Sequence, residues 1–129
     1  MYVHDATRPS LALEHLDAVC RWAEALADLR TGELMAGFDE ARPALEADLQ
    51  AAVAHVEAIE ARARAQDEVL PLVHIGTAAG LGRDESAGFR LAVAPALDTA
   101  FRRRVARYYD NILLDAPTVD FILAMLYPD

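Results

Sequence analysis

Residues 44–66 read ALEADLQAAVAHVEAIEARARAQ, with no Gly and no Pro. Leu45, Leu49, Val53, Val56 and Ile59 recur at steps of three and four, padded by Ala52 and Ala63. That period marks an amphipathic helix. Glu60 and Arg64 add an i,i+4 pair in the favourable order. The stretch predicts a helix of about six turns, one face of which carries only Ala and invites close approach of another helix. It decides the fold class: mainly α, a bundle of four to five helices with a minor extended or hairpin segment around 69–94, in one domain over 1–129.

Toward the N-terminus, Ser10 follows Pro9 as an N-cap. Leu13, Leu16, Val19, Cys20, Ala23, Leu26 and Leu29 then form a stripe. A helix from Leu11 to Arg30 is expected, with Gly32 as its left-handed stop. Residues 33–42 read as a short helix or turn. The long helix is expected to start between Asp39 and Pro43, with Asp39 capping and Pro43 in the first turn.

Toward the C-terminus the helical period breaks. Val69 to Ile75 is apolar but interrupted by Pro71, and Gly76, Gly80, Gly82 and Gly88 punctuate the next stretch of chain. Phe89-Arg90-Leu91-Ala92-Val93 alternates apolar with polar or small residues. The two runs fit either a hairpin or extended connectors, and segment 76–88 is expected to be the most mobile part of the chain. Pro95 stands at the start of a further helix carrying Leu97, Phe101, Val105, Tyr108 and Ile112. Asp115 and Pro117 announce a last helix, Thr118 to Tyr127, apolar nearly all round. It is expected to be buried against the long helix or a second copy.

Composition narrows the function. The chain has 129 residues, 27 of them Ala, and all 12 basic residues are Arg. Without Lys, Schiff-base chemistry and Walker-type phosphate binding are excluded. The net charge is −9, which disfavours nucleic acid and anionic membranes and suits a basic protein partner. A single cysteine, Cys20, excludes an intrachain disulfide. Met1 to Asp5 lacks signal-peptide character, and a cytoplasmic, bacterial protein is the default expectation.

Two sets of residues are candidates for function. The first is the Gly-rich loop: His74, Gly80, Gly82, Arg83, Asp84 and Ser86. Glu85 stands where a dinucleotide fingerprint needs its third Gly, and Gly82-Arg83-Asp84 fails the P-loop pattern. His74, Asp84 and Ser86 are the residue types of a hydrolase triad, but no Gly-x-Ser-x-Gly elbow surrounds the serine; His74 reads better as a core histidine. The histidines lack the spacing of a metal site, so neither metal nor cofactor is expected. The second set is an interface: Arg103, Arg107, Tyr108, Phe121, Met125 and Tyr127. The apolar residues exceed what one thin bundle is expected to hide, which predicts a homodimer through the last third of the chain. The leading expectation is a non-catalytic protein–protein interaction module that binds itself and another protein. The alternatives are an acidic, immunity-type inhibitor of a basic partner, and a small enzyme or ligand-binding protein built on loop 74–90.

Overall fold

The computed structural model describes residues 10–108 and 119–127, with the backbone alone for Arg107, Tyr108 and Val119. Among these residues it is mainly α, with six helices and no strand: α1 (Leu11–Gly32), α2 (Phe38–Ala65), α3 (Pro71–Ala78), α4 (Arg83–Leu97), α5 (Thr99–Tyr108) and α6 (Val119–Leu126). Expectations for Met1 to Asp5, Ile112, Asp115, Pro117 and Thr118 lie outside the described residues.

α1 is the hub, because it buries two faces. One face brings Ala23, Leu26 and Ala27 to a core completed by Leu91 and Ala94 of α4, Phe101 and Val105 of α5, and Phe121 and Met125 of α6. The other brings Leu11, Ala18 and Val19 to Val56, Ile59 and Ala63 of α2, with Leu70 and Leu72 at the start of α3. The single stripe expected on α1 is therefore too narrow. Leu13, expected inside, is 68% exposed. The fully buried alanines, Ala18, Ala23 and Ala94, are where helix backbones approach most closely. Among the described residues α6 packs chiefly on α1 and α4, where the long helix or a second copy was expected.

The largest departure is segment 69–94, which forms two helices instead of extended chain. Leu70 is extended, as a residue before proline prefers, and Pro71 takes the first position of α3, where its missing N–H costs nothing. α3 ends in a Schellman motif. The Leu81 N–H donates to the Gly76 carbonyl at 2.9 Å and the Gly80 N–H to that of Thr77 at 3.1 Å, with Gly80 at φ +68°. Gly82 then caps α4, and its N–H is accepted by the Glu85 carboxylate at 3.1 Å, the Glu half of a capping box. The alternation at 89–93 has a helical origin. Phe89 and Val93 pack toward the α2 core, while Leu91 and Ala94 enter the α5–α6 core. A helix apolar on two sides mimics period two over five residues.

Four boundary residues, Gly32, Asp39, Pro43 and Pro95, act differently from expectation. Gly32 is not a left-handed stop; a Cβ there would stand 3.1 Å from Leu45 Cδ1, so it lets α1 and α2 converge. The left-handed residue is Gly37 at φ +82°, one step before α2, which places Asp39 within the first turn and Pro43 beyond it. Pro95 lies inside α4. The break falls at Asp98, whose carboxylate accepts the Ala100 N–H at 3.0 Å and so caps α5. The Pro95 carbonyl, left without a helical partner, accepts two bonds from the Arg102 guanidinium at 3.1–3.2 Å.

α2 also closes with a Schellman motif: Glu68 N–H to Ala63 O at 2.8 Å and Asp67 N–H to Arg64 O at 3.2 Å. Here the left-handed position holds Asp67, at φ +55°, which adds a negative charge at a helix C-terminus. Asp67→Gly removes both penalties and is expected to stabilise the protein by about 1 kcal/mol. The melting temperature should rise by about 3–5 °C; an unchanged melting curve would contradict the assignment.

Candidate functional site

One edge of α1 carries Leu13, Leu16, Asp17, Cys20, Arg21 and Glu24, successive turns of a single helical stripe. The end of α4 brings Leu97 and Asp98 against it, enclosing a concavity of about 470 Å³. Its exposed apolar residues are Leu13 and Leu97, 68% and 45% exposed, with Leu16 half-buried beside them. Its rim is acidic. Asp17 pairs with Arg21 at 3.1 Å, both exposed. A second hollow of about 350 Å³ between α1 and α2 continues the acidic surface from Glu24 through Asp28 to Asp48, with His55 beside it.

Crowded acids change the chemistry here. Burial, the hydrogen bond to Asp98 and the Asp98 charge push the Glu24 carboxyl up to about 7, with Arg104 opposing and Asp28 reinforcing the rise. Arg104 itself is paired with Asp28. Burial, aided by Asp98, Asp17 and Glu24, pushes the Cys20 thiol up to about 11, so at neutral pH it is a thiol and a poor nucleophile.

Glu24 makes stability depend on pH. An acid held above its usual 4.5 binds its proton more tightly folded than unfolded, so it lowers stability as pH rises from about 4.5 to about 7 and no further above that. Glu24→Gln removes this dependence. At pH 8 the variant should be more stable than the wild type by about 1–2 kcal/mol, a value discounted for partial solvent screening. Parallel urea titrations at pH 5 and pH 8 measure it, and an equal wild-type advantage at both would refute it.

A second constellation joins α1, α2 and α4. Arg90 spans both carboxylate oxygens of Glu60 at 3.4 and 3.5 Å, each side chain about one-fifth exposed. Behind them His15 is wholly buried. Its Nε2 lies 3.5 Å from Glu60 Oε2 without hydrogen-bond geometry, and neither ring nitrogen has a hydrogen-bond partner among the described residues. Contact with His15 and then Arg90 holds the Glu60 carboxyl below its usual range against the opposing effect of burial.

The residues singled out from the sequence are dispersed. Arg83 and Ser86 line the groove beside Arg90. Asp84 instead accepts the Tyr127 hydroxyl at 2.7 Å, tying the end of α6 to the start of α4. His74 is exposed on α3 instead of in the core, and no hydrogen bond joins it to Asp84 or Ser86 among the described residues. Gly80 and Gly82 serve the helix ends already described. Phe121 and Met125 are spent on the chain's own core. Arg103 is exposed, while Arg107 lies on α5 with Tyr108, whose side chains fall outside the described residues.

Glu24, Asp98, His15 and Glu60 escape sequence reading. For His15 a signal exists: with Leu11, Ala18 and Val19 it continues a second stripe on α1. Nothing local announces the meeting of Glu24 with Asp98. Among the described residues no cluster of three His, Cys, Asp or Glu side chains is placed to hold a metal, and no helix is long and apolar enough to cross a membrane. No protein-family model matches the chain, and no curated protein and no solved structure is similar enough to lend it a fold or a function.

Proposed function

We propose that this protein is an interaction module whose α1–α4 concavity docks a segment of another protein, apolar at its centre and basic at its flanks. The observation that carries this reading is the pair of exposed leucines, Leu13 and Leu97, facing one concavity rimmed by Asp17, Glu24 and Asp98. An apolar centre within a polar rim is the anatomy of a docking patch. Burying the leucines supplies affinity, and the acids steer a cationic partner and reject anionic ones. The overall charge of −9 acts in the same direction.

Self-association through the last third of the chain has less to stand on. Phe121 and Met125 already fill the chain's own core, and a two-fold contact through this concavity would set acids against acids.

A synthetic helical peptide of Leu and Arg, with a Leu and Glu peptide as control, tests the proposal. Amide chemical-shift mapping should place the cationic peptide on Leu13, Cys20 and Leu97. Leu13→Ser, which removes the apolar contact without adding charge, should weaken binding about tenfold. A bound cation favours ionised Glu24, so binding should release a proton and tighten from pH 6 to pH 8, with Glu24→Gln flattening the trend. Shifts elsewhere, or equal binding of the acidic peptide, would overturn the reading.

A further inference from the structure

We propose that the groove between α2 and α4 is a binding site for a small zwitterion with an apolar body, an apolar amino acid or short peptide carrying a free ammonium and a free carboxylate. None of its lining residues belongs to the docking concavity, so it is independent of that reading.

The groove has a volume of about 330 Å³, within the range of small-molecule sites. Its floor is apolar: Val19 and Trp22 of α1, with Val53 and Val56 of α2. Its walls differ in charge. The α2 wall presents Glu57 and Glu60, and the α4 wall presents Arg83 and Arg90, with Ser86 between them. Two negative and two positive charges cancel overall: Glu60 and Arg90 neutralise each other in a direct pair, leaving Glu57 on one wall and Arg83 on the other. A simple anion drawn to Arg83 also meets Glu57, and a simple cation drawn to Glu57 also meets Arg83. A molecule bearing both charges satisfies both walls at once, and its apolar portion covers the floor.

The four charges do not have equal freedom. Arg90 and Glu60 are paired with each other at 3.4 Å, and His15 buttresses Glu60 from behind at 3.5 Å. That pair ties the α4 wall to the α2 wall. Arg83 has no ion pair or hydrogen bond among the described residues, and Glu57 likewise has none; both are exposed. They are the groups able to take a ligand's carboxylate and ammonium. A guanidinium suits a carboxylate through two parallel hydrogen bonds, and the Ser86 hydroxyl stands one turn along the same wall.

Trp22 is the only tryptophan of the chain and lines the groove, so its fluorescence reads occupancy directly. Leucine and the dipeptide Leu-Leu, neither of which fluoresces, are titrated into the full chain. Their single-charge analogues 4-methylpentanoate and isoamylamine are titrated in parallel. At least one zwitterion should give a saturable change in Trp22 emission at millimolar concentration or below, and the better of the two identifies whether free amino acid or peptide is preferred. Each single-charge analogue should bind about tenfold more weakly or worse. Arg83→Gln should lower affinity for the zwitterion about tenfold and leave isoamylamine unchanged; Glu57→Gln should do the converse with 4-methylpentanoate. Both residues are exposed, and unchanged melting temperatures confirm folding of the variants. A flat Trp22 response to both zwitterions, single-charge analogues binding as tightly, or variants without effect would each overturn the proposal.

Discussion

Phe101→Ala is expected to cost about 3–5 kcal/mol of folding stability. Phe101 is fully buried and meets Phe121 edge-to-face, with centroids 6.1 Å apart and planes at 74°. Truncation loses the transfer free energy of the ring and leaves a cavity among residues of α1, α4 and α6. α5 has few alternatives, since Phe101 and Val105 are its contributions to that core. Urea denaturation should show a lower midpoint at an unchanged slope. A double-mutant cycle with Phe121→Leu should return a coupling of about 0.5–1.5 kcal/mol for the ring pair. A loss below about 1 kcal/mol would mean that α5 is not held as described.

Glu60→Gln should cost about 2–3 kcal/mol near neutral pH. Removing one member of a buried ion pair leaves the other uncompensated, at about 3–5 kcal/mol when both are dry. Here Glu60 and Arg90 each retain about one-fifth of their exposure, which moderates the effect. The pH dependence has a definite sign. The Glu60 carboxyl is held below its usual 4.5, so its contribution is present above that value and fades as pH falls through the lower folded-state value. The gap between wild type and variant should therefore narrow in acid. A triple variant, His15→Leu with Glu60→Met and Arg90→Met, should recover much of the loss, because apolar replacements leave no orphaned charge. A single variant as stable as the wild type would reduce the trio to a surface contact.

How much of this is legible in the sequence varies by element. α1 and α2 each carry a helical period over several turns, and local pattern suffices to place them; the last helix is marked by its apolar run between Pro117 and Pro128. α3 and α4 are obscured by their surroundings. Phe89, Leu91 and Val93 serve two cores from opposite sides of one helix, a demand set by tertiary packing. Gly32 and Pro95 mislead for a related reason. Glycine serves close approach as well as left-handed turns, and a proline can stand in the last turn of a helix as well as in the first. The candidate sites are less legible still. Arg83 and Ser86 stand out in the sequence, but their partners Trp22, Glu57 and Glu60 come from helices far away along the chain. Likewise, the exposure of Leu13 depends on which two faces of α1 the other helices occupy.

The double-faced α1 also sets a schedule for the chain as it is made. Its contacts with α2 involve neighbours in sequence and close a short loop, so that pair can associate early. Its other side, Ala23, Leu26 and Ala27, waits for residues beyond 90. At a synthesis rate of roughly 5–20 residues per second, the chain from α2 to α6 takes on the order of 3–12 s to emerge. Throughout that interval a nascent chain bears an uncovered apolar strip. The two alanines keep that strip small, leaving Leu26 as its chief adhesive point for a chaperone or for another nascent chain.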